Sequence, residues 1–277
     1  MKTRRFAAAA TVVLFCVAGC RRAPVDLGAC STFTADPGKR IAACTVVLKN
    51  PRLNDTDLTS ATIARARAYA TLRQFDRARA DLEDLIAKQP RNAVAYDMLG
   101  EMELASAQLE AARADFEHEL EIDPASDAAY TGLGKALEAK GDMNGAQENF
   151  SRAIAMQPKN ASALSARCWL RAIIGRELDG ALSDCDSALL NRAADPDTLS
   201  HRAFVQFRRR RFAEAIGDAD SAIVTDRSNA ASWYIRGLSK LATGDTAGAD
   251  NDLANARKRE PKIAERFASY GIPMPLR

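Results

Sequence analysis

Aromatic side chains are scarce in this 277-residue chain, at 6% of residues. Aromatic and β-branched side chains fill strand surfaces, so the scarcity argues against a β-sandwich. Glycine (15) and proline (10) are modest in number, which excludes collagen-like and low-complexity classes. After the N-terminus no run of about 20 apolar residues occurs, so no spanning helix is expected in the body. Only two histidines are present, His118 and His201, and neither has a cysteine at metal-ligand spacing. There is no C-x-x-C pair and no glycine-rich phosphate loop. Carboxylates such as Glu117, Glu119, Glu121 and Asp123 read as solvated helix faces. We therefore expect no metal, no cofactor and no enzymatic activity.

What is present is a globular composition, 47% hydrophobic and 27% charged. The formal net charge is +3. Three cations, Lys2, Arg4 and Arg5, fall in an N-terminal segment without acids; setting them aside leaves 36 basic residues against 36 acidic ones. A neutral chain is a poor candidate for nucleic-acid binding, which rests on neutralising phosphates.

Residues 1–20 read MKTRRFAAAATVVLFCVAGC. A basic start, an apolar run from Phe6 to Ala18 too short to span a bilayer, and small closing residues have the layout of a secretory signal. Val17-Ala18-Gly19-Cys20 resembles the lipobox of bacterial lipoproteins. That resemblance implies removal of residues 1–19 and acylation of Cys20, which anchors the chain to a membrane, with residues 20–35 as linker. The expected location is the periplasm, lipid-anchored to the outer membrane. The alternative is ordinary cleavage after Gly19, leaving a soluble periplasmic protein.

The body is periodic. Pro90, Pro124 and Pro158 are spaced by 34. Ala78, Ala112, Ala146, Ala181, Ala215 and Ala249 step by 34 with one step of 35. Ala66, Gly100, Gly134, Cys168, Ala203 and Gly237 repeat the pattern with the same single slip, which places the extra residue in the turn 175–179. Two rulers sharing one slip mark an internal repeat. Each unit reads as two helices. In residues 127–160, Tyr130, Leu133 and Leu137 form one stripe, Gly141-Asp142 ends one helix and caps the next, and Ala146, Phe150, Ala153 and Ile154 form the second stripe. Pro158 closes the unit.

This pattern resembles the tetratricopeptide repeat. Tyr96, Leu99, Gly100, Ala112, Phe116 and Pro124 carry it in one unit, and Trp233, Gly237, Ala249, Ala256 and Pro261 in the last. The resemblance implies an all-α superhelical solenoid of helical hairpins. We count six repeats, 59–92, 93–126, 127–160, 161–195, 196–229 and 230–263. A degenerate half repeat precedes them in 36–58, with a helix from Asp36 to Leu48. A capping helix and tail follow in 264–277, at the end where a further repeat would stack.

Cys168 and Cys185 occupy positions where neighbouring units pair glycine with phenylalanine. Their midpoint falls in the turn, so an antiparallel hairpin sets them at one height. A disulfide there is favoured over two buried thiols. Cys30 and Cys44 flank the degenerate helix, and a bridge would staple the start of the stack. Removal of Cys16 with the signal and lipidation of Cys20 leaves these four, an even number suited to an oxidising compartment.

The resemblance further implies that first helices line a concave face which binds a protein or peptide partner, here one in the cell envelope. Its inward positions carry over to Ile63, Arg67, Asp97, Glu101, Thr131 and Lys135 in the N-terminal half. In the C-terminal half they are Ser165, Trp169, Phe204, Phe207, Arg208, Tyr234 and Leu238. The aromatic group is either an anchoring patch for the partner or packing between first helices. We take Arg67, Lys135, Trp169, Phe204, Phe207, Arg208, Tyr234 and Leu238 as candidate partner-binding residues. A second reading rests on the basic turn Arg208-Arg209-Arg210-Arg211, as a site for anionic envelope polymer or membrane headgroups.

Overall fold

The side chain that starts each first helix recurs along the chain. Asn54, Asn92, Ser126, Asn160, Asp195 and Asn229 each accept a hydrogen bond from the backbone N–H three residues on, satisfying a donor the helix cannot. In the computed structural model, which describes residues 27–31 and 36–274, these caps open six hairpins. They are α3 (Asp55–Thr71) with α4 (Phe75–Lys88), α5 (Ala93–Ala105) with α6 (Leu109–Ile122), and α7 (Asp127–Lys140) with α8 (Met143–Met156). Next come α9 (Ala161–Ile174) with α10 (Leu178–Asn191), α11 (Pro196–Arg208) with α12 (Phe212–Thr225), and α13 (Ala230–Thr243) with α14 (Thr246–Arg259). Two helices precede them, α1 (Gly28–Ser31) and α2 (Pro37–Leu48), and α15 (Ile263–Ser269) follows. All described secondary structure is helical, an all-α solenoid. The signal segment 1–19 and Cys20 lie outside the described residues.

The two rulers are the two sides of each hairpin seam. All six alanines of the 78–249 ruler are fully buried. Opposite them, the small residues admit a large ring. A methyl group on Gly100 would stand 2.7 Å from the Phe116 ring, and Gly132, one repeat on, leaves no more room on the other side of that ring. Phe116 is thereby locked between α5 and α7, which couples two repeats through one side chain. In the fourth repeat Cys168 and Cys185 replace the glycine and the ring and are joined by a disulfide, Cα to Cα 5.5 Å. Cys30 on α1 is bonded to Cys44 on α2, and both pack on Ala61 of α3. The short α1 that carries Cys30 has no counterpart in the sequence reading.

A polar ladder reinforces the seam. Arg65, Arg167, Arg202 and Arg236 on first helices each grip an aspartate of the following helix through Nε and Nη2. The partners are Asp81, Asp184, Asp218 and Asp252, at 2.6–2.9 Å. Arg202 and Arg236 also reach back to Asp186 and Asp220 of the preceding outer helix, at 2.8 and 2.6 Å. Bidentate pairs fix geometry as well as charge. At the same ruler positions the second and third repeats hold Leu99 and Leu133 instead of arginine.

Among the described residues, the backbone of each first helix from α3 to α11 closely approaches that of the next first helix, whereas successive outer helices stand further apart. The stack therefore curves with the first helices inside. α15 departs from the expected end position. It turns under the inner face, and Phe267 reaches Trp169 on α9, Phe204 on α11 and Tyr234 on α13. The apolar rings it meets there explain the difference, because end-on stacking would leave them wet.

Candidate functional site

The inner face divides into two halves. In the N-terminal half Arg67 and Glu101 are exposed and Asp97 and Lys135 half-buried. Lys135 Nζ lies 3.9 Å from Glu101. Arg67, Asp97 and Glu101 share a cavity of about 310 Å³ with Phe75, Met98 and Met102. Burial, then the Glu101 charge, raises the Asp97 carboxyl above its ordinary range, against the pull of Arg67 and Lys135. Further along, burial pushes Glu138 up to about 7, although the Trp169 indole and Lys135 draw it down. Two of the expected groove positions serve the stack instead. Ile63 is buried in the core, and Thr131 donates to the Asp127 carbonyl at 2.7 Å and accepts from the cap Asn160 at 3.1 Å.

In the C-terminal half the aromatic group lies beneath α15. Phe204 and Tyr234 are fully buried and Leu238 nearly so. Trp169 stacks on His201 at 4.9 Å and meets Tyr270 edge-on at 5.7 Å. Arg208 lies over the Phe204 ring and donates through Nη2 to the carbonyls of Ile173 and Tyr270. The sequence did signal this cover: Ile263, Phe267 and Tyr270 form one apolar stripe of a helix. As a cap at the end of the stack, the stripe has no assigned partner.

One arrangement was not visible in the sequence, in which neither histidine has a serine or cysteine elbow nearby. Ser165 Oγ lies 3.0 Å from His201 Nδ1, and Thr198 Oγ1 lies 2.8 Å from Ser165 Oγ and 2.7 Å from Asp195 Oδ2. With one proton per group, the chain that ends on the carboxylate runs His201 to Ser165 to Thr198 to Asp195. Ser165 then accepts from the imidazole, the reverse of what nucleophile activation requires. Burial pulls His201 down to about 4, so it stays neutral at physiological pH. The cap residue of α11 thus ties the fourth repeat to the fifth.

In the basic turn, Arg209 pairs with Asp179 at 2.7 Å and Arg211 with Glu214 at 3.6 Å. No group of three or more His, Cys, Asp or Glu side chains among the described residues is placed to hold a metal ion.

Family models described as tetratricopeptide repeat match residues 63–127 and 127–160. No curated protein sequence matches the chain. Among solved structures, a chain of the APC/C hetero-tetramer Cut9-Hcn1 superposes with a TM-score of 0.67 at 16% identity, over 85% of this chain and 46% of that one. This chain thus spans about half the length of that relative. A tetratricopeptide repeat protein from Parabacteroides merdae gives 0.62 at 15% identity, over 86% and 93%. PilW, a type IV pilus biogenesis factor, gives 0.62 at 17%, over 75% and 96%. At these identities the likeness is one of fold. The chain carries tetratricopeptide repeats in residues 63–160 and folds as a solenoid of that kind.

Proposed function

We propose that the protein is a non-enzymatic interaction scaffold of a bacterial cell envelope, holding a protein or peptide partner on the open half of its inner face. The observation that carries this reading is the uncovered run Arg67, Asp97, Glu101 and Lys135 on three successive first helices. It is a rigid surface of mixed charge, held by caps and ring wedges, and a preorganised surface loses little entropy on association. The non-enzymatic reading is supported by the His201 network, in which Ser165 accepts from the imidazole and the chain of hydrogen bonds ties two repeats together. The competing reading, a binder of anionic polymer or headgroups through residues 208–211, has less support because Arg209 and Arg211 already face carboxylates.

The envelope location rests on the signal layout and the lipobox resemblance, joined by two disulfides that suit an oxidising compartment. Cys20→Ser is expected to release the protein from membranes, and continued membrane retention refutes anchoring through that residue. For partner binding, Arg67→Glu combined with Lys135→Glu is expected to abolish a specific crosslinked complex in intact cells while leaving the helical circular dichroism unchanged. An undiminished complex refutes the assignment to this half of the face.

A further inference from the structure

Beside the tail that follows α15 lies a cavity of about 760 Å³. Its walls include Leu178, Phe207, Phe212, Leu238, Leu241 and Ile272, and its cations are Arg208 and Arg210. The four arginines of the turn therefore divide. Arg209 and Arg211 pair with carboxylates, whereas among the described residues neither Arg208 nor Arg210 forms an ion pair. Arg208 is half-buried, its fork fixed by the Ile173 and Tyr270 carbonyls, and its Nε is buried without a partner. Burial acts on this guanidinium and lowers its pKa, and among the described residues no carboxylate draws it back. A half-buried cation without a counter-charge favours an anionic ligand.

The walls decide which anion. Apart from the two arginines, no lining side chain carries a hydrogen-bonding group. A peptide laid there would find donors only at the two arginines and no side-chain acceptor for its amide N–H groups. An acyl chain has no such need. The volume also falls in the range of small-molecule sites rather than of a polymer track. We propose that this cavity binds a single-chain fatty acid, its hydrocarbon among Phe207, Leu238 and Leu241 and its carboxylate at Arg208 and Arg210. The proposal does not depend on the partner-binding reading of the N-terminal half.

Calorimetric titration of the full-length protein with laurate below its micelle concentration tests it. One equivalent of laurate is expected to bind. Arg210→Gln, at an exposed position, is expected to weaken binding roughly five-fold, the loss of one exposed charge contact. Leu241→Trp, which fills the cavity, is expected to abolish it, and dodecanol is expected to bind more weakly than laurate. No saturable laurate binding overturns the proposal. So does equal affinity for dodecanol with no effect of Arg210→Gln, or saturable binding of an acidic peptide where laurate fails.

Discussion

The ring of Phe267 stands 4.8 Å from the ring of Tyr234, although the two residues belong to different layers of the sequence pattern. Phe267 was expected at the end of the stack, and it sits under it, fully buried. Phe267→Ala is expected to destabilise the C-terminal half by about 3–5 kcal/mol, the usual cost of deleting a core phenylalanine. Denaturant unfolding followed by Trp169 and Trp233 fluorescence measures it. A loss below about 1 kcal/mol would show that α15 is only loosely attached.

The arginine ladder makes a sharper test, because the protein already contains the alternative rung. Asp252 is 2% exposed and holds both Arg236 and Lys240. The third repeat has Leu133 and Asn149 at the same two positions, and Asn149 donates to the Gly145 carbonyl at 2.8 Å. Arg236→Leu alone is expected to cost up to about 3 kcal/mol, since it strips a buried carboxylate of its main partner. Adding Asp252→Asn is expected to recover part of that loss. A double variant less stable than the single one contradicts the account.

Three carboxylates make stability depend on pH. Burial raises Asp115 to about 6, and Glu119 and Glu138 to about 7. Asp115 occupies an aspartate position of the ladder whose arginine has become Leu99. For each, the folded state holds its proton to higher pH than the unfolded chain does. The contribution is therefore largest near pH 4–5 and declines as pH rises towards 7. Glu119 is nearly buried, with one oxygen bonded to Ser126 and the other unpartnered. It alone accounts for a loss on the order of 2 kcal/mol across this window. Denaturant midpoints are expected to be higher at pH 5 than at pH 8, the three carboxylates outweighing His201, whose lowered pKa costs stability as pH falls below the ordinary imidazole range, and Glu119→Gln is expected to flatten the difference. A stability that rises through this range in both proteins would contradict the assignment.

Reduction provides a fourth test. The bond between Cys168 and Cys185 closes a loop of sequence separation 17 across one hairpin. Its loss is expected to cost about 2–4 kcal/mol. Thermal unfolding of the Cys168→Ala, Cys185→Ala double variant against the parent measures this, and an unchanged Tm would show that packing alone sets that hairpin.

The repeat was legible because small residues at a fixed period have one physical cause, the close approach of paired helices. The cysteine pairing was legible for the same reason, since Cys168 and Cys185 interrupt that pattern together. The ladder follows the same ruler, 65, 99, 133, 167, 202 and 236, yet it passed unread because charged residues on helices usually face water and two of its rungs hold leucine. The position of α15 is a different kind of gap. Periodicity describes neighbours one repeat apart, and the Phe267 contacts with Trp169 and Phe204 join residues roughly three and two repeats distant. Which of the C-terminal inner-face positions stay accessible therefore depends on a fold-back that no local pattern specifies.

The central claim is that partners engage the open half of the inner face. A photo-crosslinking side chain at Glu101, compared in living cells with one at Glu117 on the outer helix α6, tests it most directly. The account predicts a discrete adduct from position 101 and none from position 117. An adduct from position 117 with none from position 101 would contradict it.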